Sequence, residues 1–280
     1  MKYQIDHDLH IHTYISGCAG HDPRQTPEAI LSYGVCSDMR LLCVADHVWD
    51  EKAPSCTHTW ADGGNTLTYG RSLLPLPQSK FCKFIFGVEV DIDYEGNMAV
   101  SREEMDNLDF LVFAPSHLHL KDFTVPRDLA STPEAHSAIY MKRMDELLSR
   151  DDIPWHKTGL AHPLLGVIPN DRVRMFDLIP DRQWEEMWTR VRDRGMGVEI
   201  NRDPSAYTPI ELEHLLRPLH IAKAVGCKFY LGSDAHMPEE TRGKVRQFQY
   251  FIDLLELTEE DKHPFVIENR APVPPTEIIR

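Results

Sequence analysis

Near its start the chain reads Asp8-Leu9-His10-Ile11-His12. In an extended strand residues i and i+2 face one side, so His10 and His12 point together and can chelate one ion. H-x-H alone is a weak signal, but the event recurs. Leu-Leu-Cys-Val-Ala runs into Asp46-His47, and Phe-Ile-Phe-Gly-Val into Glu89 with Asp91 two residues on. Phe-Leu-Val-Phe-Ala-Pro-Ser runs into His117, Gly-Leu-Ala into His162-Pro163, and Phe-Tyr-Leu-Gly-Ser into Asp234-Ala235-His236. Imidazole and carboxylate are the ligand set of zinc, iron or manganese. A bland explanation requires a separately satisfied polar residue at every one of these run ends. Two or three divalent ions need negative charge nearby, and Glu89 and Asp234 supply part of it. Metal coordination lowers the pKa of water toward neutrality, and ions about 3.5–4 Å apart stabilise both attacking and leaving oxygens.

The apolar runs are strands by pattern: Tyr3–His12, Leu41–Ala45, Phe84–Val90, Phe110–Ala114, Thr158–Ala161, Val198–Asn201 and Phe229–Gly232. Several are continuously apolar, as in strands buried on both faces of a parallel sheet. Helical segments alternate with them. Thr26-Pro27, Thr132-Pro133 and Thr208-Pro209 each place a capping hydroxyl before a proline at the first helical position. Trp184, Met187, Trp188 and Val191 fall at helical spacing in 182–194 and read as core, with Gly195 as the stop. Val245, Phe248, Ile252 and Leu255 share one face of 239–257. Strand–helix alternation means α/β with a parallel sheet, and 280 residues suit one (β/α) barrel domain over 1–280. In a barrel the carboxyl ends of the strands converge on one face, where active sites sit. Two excursions interrupt the pattern. Residues 48–80 hold Trp49, Trp60, Tyr69 and Gly63-Gly64, either a lid or a surface insertion packed by its own aromatics; residues 118–131 form a shorter one. Prolines 264, 272, 274 and 275 predict an irregular tail from His263.

Composition bounds the rest. Lys plus Arg is 30 and Asp plus Glu 44, a formal charge of −14, which repels a polyphosphate backbone and disfavours long nucleic acid. No apolar run reaches the ~20 residues of a membrane helix, and the first residues lack the apolar stretch of a signal peptide, so the expectation is a cytoplasmic protein. The six cysteines, 18, 36, 43, 56, 82 and 227, form no C-x-x-C pair and read as free thiols in a reducing compartment.

Taken together, D-x-H-x-H, D-H, G-x-E-x-D, S-x-H, A-H-P and a final S-D-x-H, from Asp8 to His236, resemble the PHP (polymerase and histidinol phosphatase) family of metal-dependent hydrolases in motif order. The resemblance implies a distorted seven-stranded (β/α)7 barrel with a metal site at the C-terminal strand ends. It also implies a trinuclear centre in which Glu89, Asp234 and His236 are catalytic by holding the ions. One ion would take His10, His12, Glu89 and Asp234. A second would share Glu89 and take His117 and His162. The third would take His47, His236 and a ligand from the loop after the first strand. That loop reads Thr13-Tyr-Ile-Ser16-Gly-Cys-Ala-Gly-His21-Asp22 and departs from the commoner pattern, in which Asp or His soon follows T-x-x-S. His21 is the choice, Asp22 the alternative, and Cys18 ranks behind them. Asp46 and Asp8 are expected to orient imidazoles, with plain N-terminal polar filler the alternative for Asp8.

The activity implied is hydrolysis of a phosphate monoester on a small molecule, with histidinol phosphate the first named substrate. A short-oligonucleotide or nucleotide phosphoesterase is the nearest alternative. An amidohydrolase-type barrel also begins with H-x-H but calls for a bridging lysine, where this chain offers Glu89 and then His117. A non-catalytic metal module is a third class. A phosphate needs donors beyond the metals. Arg202, after the sixth strand in Glu199-Ile-Asn201-Arg202, can reach the active face, and His119, Arg24 and Lys121 are further substrate-binding candidates. His7, His58, His136, His156, His214, His220 and His263 read as structural or exposed.

Overall fold

The computed structural model describes residues 1–53, 65–168 and 171–272. Its strands are β1 (His7–Ile11), β2 (Leu41–Val44), β3 (Lys83–Phe86), β4 (Val88–Val90), β5 (Leu111–Phe113), β6 (Thr158–Leu160), β7 (Gly197–Ile200) and β8 (Lys228–Leu231). All pair in parallel, in two sheets of order β1-β2-β3 and β4-β5-β6-β7-β8. Nearly every strand residue is buried, as the continuous apolar runs require.

Among the described residues there are eight strands, where the sequence predicts seven, because 84–90 changes partner midway. Phe86 still pairs with Val44, whereas Val88 pairs with Leu111. Gly87 sits at the switch, and a Cβ there would lie 2.5 Å from the Phe110 carbonyl oxygen, so only glycine admits that close backbone approach. Past the other sheet edges, Asp234 N–H donates to the His10 carbonyl (2.7 Å) and His12 N–H to that of Ala235 (3.0 Å).

The helices start where their caps direct. In α1 (Pro27–Cys36) Thr26 accepts from Ala29 N–H. After α2 (Leu67–Gly70) and α3 (Arg102–Asn107), Thr132 caps α4 (Pro133–Leu148) through Ala135 N–H. The short α5 (Arg174–Asp177) precedes α6 (Asp181–Arg194), which buries Trp184, Met187, Trp188 and Val191 and ends at Gly195 in the left-handed conformation, φ 79°. Thr208 and Glu211 form a reciprocal capping box on α7 (Pro209–Ala224).

Two expectations are corrected near the end of the chain. The helix expected over 239–257 is only α8 (Lys244–Leu254), because Gly243 with φ 79° breaks it from a 3₁₀ turn at Pro238–Thr241. Phe248, Ile252 and Leu255 are buried, but Val245, in the first turn, is exposed. The tail is not irregular at its start: Pro264 is the first residue of α9 (Pro264–Asn269), which buries Phe265 and Val266, proline being favourable at that position. In the excursion after β2, Trp49 is 1% exposed, bridges Thr66 and packs on Phe123. This end of it is core rather than lid; Trp60, Gly63 and Gly64 lie outside the described residues. No helix among the described residues is long and apolar enough to cross a membrane.

Candidate metal centre

The carboxyl ends of the strands bring the motif residues together. His10, on β1, and His12, just past its end, bring their Nε2 atoms to 3.2 Å. Glu89, on β4, places Oε2 2.9 Å from His47 Nε2, 3.2 Å from His10 Nε2 and 3.3 Å from His12 Nε2. Its Oε1 lies 2.8 Å from His162 Nε2 and 3.6 Å from His117 Nε2. Asp234, just past β8, reaches His12 Nε2 at 3.2 Å and His10 Nε2 at 3.6 Å. Asp234 and His162 both have positive φ, 54° and 25°, backbone strain that the surrounding bonds must hold in place. Among the described residues three groups of donors lie close enough to hold an ion: His10, His12, Glu89 and Asp234; His47, Glu89 and His117; and His12, Cys18 and His47.

The outer nitrogens of the rings are committed. His10 Nδ1 faces Glu199 Oε1 at 2.8 Å, and His162 Nδ1 faces Ser116 Oγ at 2.8 Å. Asp91 serves two rings, with one oxygen 2.8 Å from His47 Nδ1 and the other 2.9 Å from His117 Nδ1. An imidazole that donates from Nδ1 presents a lone pair at Nε2, the arrangement that orients histidines on a metal. Gly232 makes room for one of these contacts, since a Cβ there would lie 2.0 Å from Glu199 Oε1.

The electrostatics indicate missing positive charge. Burial pushes the His10 ring down, but Glu199, Glu89 and Asp234 outweigh it and hold it up at about 10. His47 is likewise raised against burial by Glu89 and Asp91. Burial pushes Glu89 up, yet His47, His10 and His117 hold it well below the usual carboxylate range. The buried carboxylates thus favour positive charge on His10 and His47, and a divalent cation would meet the same demand. The residues fit divalent metal ions on this ground and on donor chemistry.

Not every expected residue reaches the centre. His21 is exposed, with Nδ1 3.1 Å from the Tyr14 carbonyl, and Asp22 is bound to Arg24. The 3₁₀ turn at Gly17–Ala19 and the left-handed Gly20, φ 58°, carry the chain away before either arrives. Cys18, at the middle of that turn, faces the cluster instead. Burial raises its thiol, but His12, His236 and His47 bring it down to about 3. The His236 ring stacks on His12 at 4.3 Å, its Nδ1 2.8 Å from the Asp234 carbonyl. Neither Asp8 nor Asp46 orients an imidazole by a hydrogen bond. Asp8 accepts from Ser233 N–H (2.8 Å) and Tyr33 Oη (3.1 Å), pinning β1 to the turn after β8. Asp46 accepts from Thr13 N–H and Oγ1, each at 2.7 Å, and so fixes the loop carrying Cys18; its nearest approach to His12 Nδ1 is 3.8 Å.

Glu199 and Ser116 were not anticipated as ring partners. A glutamate inside the apolar run Val198-Glu199-Ile200 is the signal that could have found the first. Asp91 follows Glu89 at i+2, the spacing that puts two residues on one side of an extended chain.

A cleft of about 570 Å³ opens beside Asp234 and His236, with Arg172, Arg202, Arg242 and Lys244 among its lining residues. The buried Nε and Nη2 of Arg202 have no hydrogen-bond partner among the described residues. Of the other substrate-binding candidates, His119 is exposed and meets the edge of His117. Lys121 donates to the Leu129 carbonyl. Arg24 is taken up by Asp22 and Glu239.

No family model matches the chain, and no curated protein is similar to it in sequence. Among solved structures it is similar to histidinol phosphate phosphatase from Lactococcus lactis, solved with zinc, L-histidinol and phosphate: TM-score 0.63, 14% identity, covering 89% of this chain and 93% of that one. A second similar structure is atrazine chlorohydrolase from Arthrobacter aurescens, with zinc, at TM-score 0.38 and 11% identity, covering 91% of this chain and 72% of that one. At 14% identity the first likeness is one of fold: this chain has the α/β architecture, with parallel strands, of that phosphatase.

Proposed function

We propose that this chain is a cytoplasmic metal-dependent phosphoesterase, a single domain whose two sheets act as a distorted barrel, and that it hydrolyses a phosphate monoester on a small molecule. One observation carries the proposal: inward-facing imidazoles and two carboxylates converge at the strand ends beside a cleft containing an uncommitted arginine. Two or three divalent ions, zinc, iron or manganese, would be held by His10, His12, Glu89 and Asp234, by Glu89 with His117 and His162, and by His47 and His236 with a loop ligand. Bound there, such ions supply an activated water at neutral pH and charge for the leaving oxygen.

The chain's own residues do the rest. Glu89 would contribute to two ion positions, because each of its oxygens faces an imidazole. Asp91 and Glu199 hold the rings so that Nε2 stays inward. Arg202 offers buried N–H groups lacking an acceptor, which a phosphate oxygen satisfies with charge-assisted bonds. The cleft's size suits a metabolite rather than a polymer. Histidinol phosphate is the first compound to test, on the resemblance of the motifs and on the likeness of fold to a histidinol phosphate phosphatase.

The test is elemental analysis after expression with added zinc, iron and manganese, followed by turnover of histidinol phosphate and a panel of sugar and nucleotide monophosphates. Two or three ions per chain and turnover of a monoester are expected. Less than one ion per chain, or no turnover of any phosphoester by the loaded protein, overturns the proposal.

A further inference from the structure

The loop after β1 brings a sulfur atom, not a third carboxylate or imidazole, to the centre. Cys18 Sγ lies 3.7 Å from His12 Nδ1 and 3.0 Å from Ser16 Oγ, and shares one potential ion position with His12 and His47. The loop is built to hold it there. Asp46 takes both the N–H and the hydroxyl of Thr13, and Ser16 N–H returns to the Thr13 carbonyl at 3.1 Å. Gly17 and Ala19, small residues on either side of Cys18, complete the 3₁₀ turn.

The other described cysteines differ in surroundings. Cys43, Cys82 and Cys227 are buried, Cys36 is exposed, and none belongs to a group of metal-binding donors among the described residues. All five described cysteines are free, so Cys18 is not spent in a disulfide.

We propose that Cys18 is a metal ligand, so that one position of the centre is a mixed imidazole–thiolate site beside neighbours made only of imidazole and carboxylate. This rests on the metal-dependent reading above and gives the loop ligand that His21 does not supply. Sulfur is the softest donor in the set, and softness sorts metals. Zinc, iron(II) or cobalt(II) suits this position, whereas manganese prefers the oxygen-rich ones. Manganese alone therefore fills the chain to one ion fewer than zinc or cobalt does.

Cobalt(II) titration of the metal-depleted full chain tests this by a readout independent of activity. Thiolate coordination gives a near-ultraviolet sulfur-to-cobalt charge-transfer band that imidazole and carboxylate do not give. The wild type is expected to develop that band. Cys18→Ser should lose it together with about one ion per chain, and Cys18→Asp should keep the ion without the band. Full cobalt loading of the wild type without the band, or an undiminished band in either variant, overturns the assignment of Cys18 alone. Failure of the wild type to bind cobalt at all overturns both the assignment and the metal-dependent reading.

Discussion

At the amino-terminal end of β1, Asp6 is enclosed by cations: Lys262 Nζ at 2.9 Å, Arg270 Nη1 at 2.5 Å and Arg40 Nη1 at 3.6 Å. Lys262 is itself 1% exposed, reaches Glu259 at 2.6 Å and donates to the Gln4 carbonyl at 3.0 Å. At the carboxyl-terminal end of the same strand, His10 and His12 face carboxylates and other imidazoles, and the cluster contains no lysine or arginine ligand partner among the described residues. Both ends bury charge. The first is complete in itself, each acid paired with a permanent cation; the second sets its acids against imidazoles, with no permanent cation among the described residues. A buried charge network that closes on itself fastens structure, here the C-terminal helix to the strand starts, while one that lacks a cation is prepared to receive one.

The largest expected effect tests the incomplete end. Glu89→Gln should lower metal content at two positions at once and reduce turnover by about a thousandfold, the scale on which one preorganised charge acts in an active site. His236→Ala should cost about one ion. Elemental analysis of both variants checks this, and loss of the same single ion in each would break the bridging role of Glu89.

Lys262→Met attacks the closed end. It leaves Asp6 and Glu259 without their shared buried cation and should destabilise the fold by about 3–5 kcal/mol. Metal content per folded chain should stay unchanged. Denaturant unfolding and metal analysis together decide it, and a variant that lost metal while keeping stability would merge the two ends into one network.

A smaller effect is a pH dependence at the closed end. His263 is buried, its ring 3.0 Å from the Gly195 carbonyl, and burial pushes its pKa down to about 4. The unfolded chain takes up this proton near pH 6.5, so between about 6.5 and 4 the unfolded state binds more protons. Stability therefore falls as pH drops through that window, by up to roughly 3 kcal/mol from this group. Unfolding of His263→Gln over the same range should show a flatter slope than wild type; equal slopes would remove His263 as the source.

Arg202→Ala is the mildest. Losing a charge-assisted grip on a phosphate oxygen should cost about 1.5–3 kcal/mol, or roughly 10–100-fold in kcat/KM, mostly in KM because the grip serves ground and transition states alike. Stability should hardly change. Unaltered kcat/KM on a substrate that the wild type turns over would remove Arg202 from the site.

Much of the centre was legible because strand periodicity is local. His10 and His12 must share a side, and Glu89, His117, His162 and Asp234 each follow an apolar run, so a parallel sheet carries them to one edge. The roles of the surrounding acids were harder to see. Asp8, Asp46, Asp91 and Glu199 are all buried carboxylates, yet only Asp91 and Glu199 meet ring nitrogens, while Asp8 and Asp46 meet backbone N–H groups. Which partner each one meets depends on residues up to about 225 positions away, and no pattern within a strand encodes that.

The strand–helix alternation, the helix starts at Thr-Pro pairs and the histidine–carboxylate set at the strand ends are local properties of the amino-acid sequence, since propensity, capping and the period of two act over a few residues. Three features came from long-range contacts alone: Gly87 divides one strand between two sheets, the chain after His263 folds back as a helix over the strand starts, and Cys18 rather than His21 faces the histidine–carboxylate cluster. Each of those depends on how a turn directs the chain against distant backbone. A loop residue's position is set by the anchors at its ends, here Asp46 gripping Thr13, and not by its distance along the sequence from the ligands it joins.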